Sequence, residues 1–234
     1  MQLHFATLDD CAQATGVVVV IDVIRAFTTA AVALAAGARE IVPVSGVDEA
    51  LQLRAAWPEA LVLGEVGGLP PEGFDFGNSP SALTHPAAVA RLRGRRLIQR
   101  TGAGTQGLVR SRSAQTLFAG SFVCAGATLR AVQALSPAAV TLVRTGSDDE
   151  DQALADYLSQ ALAGAPPDAA PYLARVRAAG MTRVQAGPGD QGWPEWAVRQ
   201  FLNDLDYCAA LDRFDFALRG QPRAGHLVLE PQPA

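Results

Sequence analysis

The run GVVVVIDVI at residues 16–24 constrains the fold more than any other part of the chain. Its β-branched residues follow one another without alternation, the pattern of a strand covered on both faces of a sheet. Such a strand needs a helical layer on either side. The alanine-rich stretch RAFTTAAVALAAG follows at once, with Gly37 as its stop. The order then recurs. EIVPV reads as a strand, VDEALQLRAAWP as a helix behind a Ser45 cap, and ALVLGE as a third strand. SALTHPAAVARLRG reads as a helix opened by Pro80 and shortened or kinked by Pro86. RRLIQRT is a strand, GAGTQG a glycine turn and LVRSRSA a helix. TLFAGS and AVTLVRTG are strands, each followed by a helix, AGATLRAVQALSP and DEDQALADYLSQALAG. The last third is less regular: two helical segments, then DFALRG and HLVLEP as antiparallel strands at a sheet edge.

Strands alternating with helices predict an α/β protein, three layers α/β/α around a mostly parallel, mixed central sheet. The 234 residues read as a single domain. VVVVIDVIRAFTTAAVAL and TLFAGSFVCAGATLRAVQAL share an order of strand, small polar residue and alanine-rich helix. That echo leaves room for a duplication of 16–115 in 116–234, with Asp22 opposite Ser121.

Composition excludes several classes. The chain is 49% hydrophobic, enough for a sizeable core, and its formal net charge is −4. No basic footprint for nucleic acid is present; RLRGRR at Arg91–Arg96 suits the end of a helix. Cys11, Cys124 and Cys208 lie far apart, without a CxxC. Neither a signal peptide nor a membrane span is legible, so the expectation is a soluble, cytoplasmic protein. The apolar C-terminal helices leave room for a homodimer.

In a parallel sheet, ligands bind beyond the carboxyl ends of the strands. Asp22, Glu65, Thr101, Ser121 and the group Thr145–Asp148 all follow predicted strands. Asp22 interrupts a valine run, where a carboxylate is costly without a partner. It pairs with Arg25, caps the next helix, or serves function by binding a cation or attacking a substrate. The loop GEVGGLPPEGFDFGNSP, Gly64–Pro80, brings Glu65 and Asp75 back to the same edge, and carboxylates gathered there suit Mg²⁺. RTGAGTQG offers a glycine-bearing turn for an anion, although it lacks the ending of a P-loop. GSDDED at Gly146–Asp151 is either a metal-binding segment or the acidic start of a helix. Cys124 and Arg130 have the Cys-x5-Arg spacing of cysteine phosphatases, but the segment reads as helix. His4, His85 and His226 lie away from the predicted edge, and no G-x-S-x-G occurs.

Taken together, VVVIDVIRAFTTA, GEVGGLPPEGFDFGNSP, QRTGAGTQG and AGSFVCAGAT resemble the 2-phosphosulfolactate phosphatase family, the ComB-like proteins linked to coenzyme M synthesis. These stretches keep family order from about residue 16 to 130, and DYCAALDRFD agrees more loosely. The resemblance implies Mg²⁺-dependent hydrolysis of a small anionic phosphate monoester, 2-phosphosulfolactate, to 3-sulfolactate and phosphate. It places Asp22, Arg25, Glu65, Asp75, Asn78 and Ser79 at or near the site. On this reading Asp22 is nucleophile or principal metal ligand, and Glu65 and Asp75 complete the metal shell. Arg25 and backbone N–H groups near Thr28 and Thr101 hold phosphoryl oxygens. Asn78, Ser79, Thr105 and Ser121 bind or orient the substrate. Val66 stands where the resemblance expects arginine and Ala103 where it expects asparagine, changes that bear on anion recognition. The rival reading is an acidic-metabolite-binding protein on the same fold, without turnover.

Overall fold

The computed structural model describes residues 1–186 and 192–233. The strands are β1 (Gln2–Ala6), β2 (Val17–Ile21), β3 (Glu40–Val44), β4 (Leu61–Gly64) and β5 (Phe76–Gly77). They continue as β6 (Arg96–Arg100), β7 (Thr116–Gly120), β8 (Ala139–Arg144), β9 (Phe216–Arg223) and β10 (His226–Pro233). The helices are α1 (Ala26–Ala35), α2 (Val47–Ala56), α3 (Pro80–Leu83), α4 (Pro86–Leu92) and α5 (Gly104–Arg110). After them come α6 (Ala125–Ala134), α7 (Asp149–Ala163), α8 (Ala170–Ala186) and α9 (Glu195–Cys208).

The unalternated valine run does what its composition demands. All five residues of β2 are buried. Val18 and Val20 join a core with α1, α3, α4 and α5, while Val17, Val19 and Ile21 join a second core with α6–α9. On β3, β4 and β6 the first core continues, and Val42, Val44, Val62 and Ile98 face a third, under α2. The result is the expected three-layer α/β fold.

The ten strands of the described residues form one sheet, in the order β1-β8-β2-β7-β9-β10-β3-β6-β4-β5. β1, β8, β2 and β7 are mutually parallel, as are β3, β6, β4 and β5. The hairpin β9–β10 lies between the two groups and pairs antiparallel with β7 on one side and β3 on the other. DFALRG and HLVLEP are therefore central strands, which corrects their placement at an edge. Their apolar residues Ala217, Leu218, Val228 and Leu229 are buried, as a central position requires. The edges are formed by β1, an N-terminal strand that pairs with β8, and by the short β5, which pairs with β4. The boundary at residues 115/116 does not divide the sheet, because β2 lies between β8 and β7.

Two helices also differ from expectation. Pro86 opens α4 behind a His85 cap, so the segment after the glycine-rich loop forms two short helices. GTQG is the first part of α5, and the helix stops at Arg110.

Three antiparallel junctions separate β7 from β3, so the two parallel groups run in opposite directions. Although their groups run in opposite directions, the residues after β2, β4 and β6 meet in one cleft.

Candidate active site

The cleft encloses about 240 Å³ and is lined by Asp22, Arg25, Glu65, Asn78, Thr101 and Arg183, with Gly67, Gly68, Gly102 and Ala103 beside them. Ile24, Trp193 and Phe201 supply its apolar wall.

Asp22 follows β2 and is buried. Its Oδ1 accepts the Ala26 N–H at 2.9 Å and so satisfies the first backbone donor of α1. It is not paired with Arg25. Its Oδ2 lies 3.4 Å from Thr145 Oγ1, and the same hydroxyl lies 3.4 Å from Asp151 Oδ2 and 3.0 Å from the Ile21 carbonyl. A hydroxyl has one hydrogen to give, so two of these three oxygens go without it. Asp151 is buried as well; its Oδ1 accepts from Val23 N and its Oδ2 from Gly146 N, each at 2.9 Å. Burial pushes the Asp22 carboxyl above the ordinary carboxylate range. Burial, then the neighbouring Asp22 charge, pushes Asp151 well above it. The acidic segment GSDDED thus sends one residue, Asp151, into the floor beneath the cleft. Its place after β8 was the signal for it.

Glu65 ties the two glycine segments together. Its Oε2 accepts from Gly68 N at 2.7 Å and its Oε1 from Gly102 N at 2.5 Å. Gly64, just before it, could not be any other residue: a Cβ there would lie 1.8 Å from the Arg100 carbonyl oxygen. Gly104 is crowded to a lesser degree, with a Cβ 2.6 Å from that of Ala26 and 2.7 Å from Asp22 Oδ2.

Arg25 is buried. Its Nη1 donates to Asp204 Oδ2 at 2.6 Å, its Nη2 to the Gly68 carbonyl at 3.2 Å, and its guanidinium sits 4.9 Å from the centre of the Phe201 ring. A second guanidinium, that of Arg183 on α8, donates through Nη1 to the Ile24 carbonyl at 2.9 Å and through Nη2 to Glu150 at 2.6 Å. It also pairs with Asp148. Trp193 Nε1 donates to the Gly67 carbonyl at 3.0 Å, and its ring fills the space where a side chain at Gly68 would stand. Arg183, Trp193, Phe201 and Asp204 lie in the irregular last third, where amphipathic helices carried no recognisable motif.

Asp22, Arg25, Glu65, Asn78 and Thr101 are brought together. Asn78 is buried in the lining, and its Oδ1 has no partner among the described residues. Asp75 is not brought there. Its carboxylate pairs with Arg91 at 2.7 Å and Arg54 at 3.6 Å and accepts from Val62 N at 3.0 Å, so it fastens the loop to α2 and α4. Among the described residues no group of three or more His, Cys, Asp or Glu forms a metal cluster.

The other expected binding residues lie behind the lining. Thr28 Oγ1 donates to the Val23 carbonyl at 2.8 Å and meets Ser121 Oγ at 2.6 Å, holding the turn after β2. Thr105 and Thr101 exchange hydrogen bonds, Thr101 N to Thr105 Oγ1 at 2.9 Å and Thr105 N to Thr101 Oγ1 at 3.1 Å. Ser79 Oγ donates to Asp204 Oδ1 at 2.7 Å. The N–H groups of Ala26, Thr101 and Gly102 are already taken by side chains, so they do not offer themselves to phosphoryl oxygens. Cys124 is fully buried, and burial pushes its thiol up to about 12, which removes the cysteine scheme. Neither it nor any histidine lines the cleft. Of the two altered positions, Ala103 lines the cavity, whereas Val66 is exposed and does not.

The family model described as 2-phosphosulpholactate phosphatase matches residues 5–221. The chain belongs to the 2-phosphosulpholactate phosphatase family. By that membership it is a phosphoric monoester hydrolase. A protein of Carboxydothermus hydrogenoformans named "Probable 2-phosphosulfolactate phosphatase" is 35% identical over 228 residues, covering 91% of this chain and 90% of its own. One of the same name from Gloeobacter violaceus is 33% identical over 231 residues, covering 94% and 91%. A third, from Prochlorococcus marinus, reaches 49% identity over 102 residues, 43% of this chain and 40% of its own. Family members thus act on a small phosphorylated molecule, the scale of ligand that the cleft admits. Among the described residues no helix is long and apolar enough to cross a membrane.

Proposed function

We propose that this chain is a Mg²⁺-dependent phosphatase for a small acidic phosphate monoester, 2-phosphosulfolactate first, giving 3-sulfolactate and phosphate. The observation that carries this reading is Asp22, a buried carboxylate in the cleft with no ion-pair partner among the described residues. Such a group is costly unless a ligand compensates it. Mg²⁺ takes one or two carboxylates and leaves its other positions to water and substrate phosphate, and Asp22 with Glu65 is a donor set of that kind. When bound, the ion would supply neutralising charge at the phosphoryl oxygens. Asp22 Oδ1 is held by Ala26, so Oδ2 is the atom that would meet either a metal or a phosphorus. Arg25 and Arg183 would hold anionic groups of the substrate. Asn78, whose Oδ1 has no partner among the described residues, would orient a substrate hydroxyl or a bound water. Trp193 and Phe201 would exclude solvent from the reacting group. The negative net charge suits a diffusible cytoplasmic substrate rather than nucleic acid, and exposed Trp196 and Leu202 on α9 suit a homodimer.

The test is phosphate release from 2-phosphosulfolactate and from 2-phospholactate, each with Mg²⁺ and with EDTA. Mg²⁺-dependent release from the first supports the full reading. Release from phospholactate alone keeps the chemistry and moves the substrate. Ala103, whose side chain gives the cleft no polar group, favours one second reading: a phosphatase for a different phospho-acid. No release from either ester, with release from another small phospho-acid, would support it.

A further inference from the structure

We infer that Asp204, on α9, is the positioning residue for Arg25, so that the C-terminal helix sets the geometry of anion capture. Asp204 is fully buried. Its Oδ2 takes Arg25 Nη1 at 2.6 Å. Its Oδ1 accepts from Ser79 Oγ at 2.7 Å, Ser81 N at 2.9 Å and Ser81 Oγ at 2.5 Å. A buried carboxylate is stable only when its charge is met this fully. Three donors fix one oxygen, and the other has a single task, to aim the guanidinium.

Phe201 stands one helical turn before Asp204, on the same face of α9. Its ring lies under the guanidinium at 4.9 Å. Arg25 is thereby held from three sides: Asp204 at Nη1, the Gly68 carbonyl at Nη2, and the aromatic face beneath. Among the described residues, two of its five N–H groups are used. The remaining donors belong to a residue that lines the cleft. Both serines that secure Asp204 come from the end of the Gly64–Pro80 loop and the start of α3. One carboxylate therefore joins the glycine-rich loop, the Asp22–Arg25 turn and the C-terminal helix, segments far apart in sequence.

The inference rests on the proposed function in one respect, that Arg25 faces the substrate. The full chain carrying Asp204→Asn is compared with wild type for melting temperature, kcat and KM. Asparagine keeps an acceptor but loses the charge that aims Arg25, and kcat/KM per folded molecule is expected to fall between about tenfold and a hundredfold. In an Arg25→Gln background, which has already lost the guanidinium, Asp204→Asn is expected to cause no further loss of kcat/KM. Losses that add in the double variant, or a lowered melting temperature with unchanged kcat/KM, would overturn the inference. Should Asp204→Asn not fold, Asp204→Glu keeps the charge and displaces it by one methylene. Unchanged kcat/KM in that variant overturns the inference too. The wild-type arm reads the function separately: if it releases no phosphate, the proposed activity fails. Positioning is then read from the melting shift caused by inorganic phosphate, which Asp204→Asn must reduce.

Discussion

Asp22 and Asp151 share the hydroxyl of Thr145, and neither has an ion pair among the described residues. Burial holds both carboxyls above the ordinary value of 3.8, so the folded protein keeps their protons longer than the unfolded chain does. The stability they contribute is full below about pH 4 and is lost as pH rises through that value toward their folded pKa values. Asp22→Asn removes one charge and keeps an acceptor for the Ala26 N–H. It is expected to abolish phosphate release and to raise the melting temperature at neutral pH by about 2–4 °C, roughly 1 kcal/mol in a protein of this size. A calorimetric scan from pH 4 to pH 8 checks the trend; a variant that melts lower than wild type at pH 7.5 contradicts it. Mg²⁺ is expected to raise the wild-type melting temperature at pH 7.5 and to leave Asp22→Asn unmoved, because binding to the folded state alone stabilises it. Gly104 allows no side chain beside Asp22. Gly104→Ala should lose about 1–3 kcal/mol of stability through overpacking, with activity falling at the same time; denaturant titration and phosphate release measure the two.

Among the elements, the Gly64–Pro80 loop was the most legible. Its glycines and carboxylates pointed to one wall of a cleft, and Glu65, Gly67, Gly68 and Asn78 line one. Asp75 sits in the same stretch and turns away, because Arg54 and Arg91 reach it from two helices. No local pattern reveals that choice, since both partners are distant in sequence and each is an ordinary surface arginine by composition. Asp75→Asn is accordingly expected to keep Mg²⁺-stimulated phosphate release and to cost about 1–2 kcal/mol of stability through the weakened loop anchor. Loss of activity with an unchanged melt would return Asp75 to the site. The helix α9 was legible as a helix and silent as part of the cleft. Phe201 and Asp204 look like one more apolar and one more polar position on an amphipathic face, and only the chain's path places them under Arg25.

At the scale of the whole molecule, hydrophobic periodicity carried the class of fold and most strands, because a doubly buried strand and an alanine-rich helix each leave a local signature. Strand order left none. β9 and β10 alternate enough to pass for an edge hairpin, yet their long register with each other and their contacts with β7 and β3 put them at the centre. The same position governs how the protein is made. Without residues 216–233 the strand order leaves two half-sheets, with β7 and β3 unpaired on the sides that face the hairpin. Such open edges invite pairing with another chain. The 1–215 fragment is expected to be recovered aggregated where the full chain is soluble, as sedimentation of the two would report. The hairpin is made after every strand it joins, and until it arrives β7 and β3 each present a bare edge that another chain could pair with.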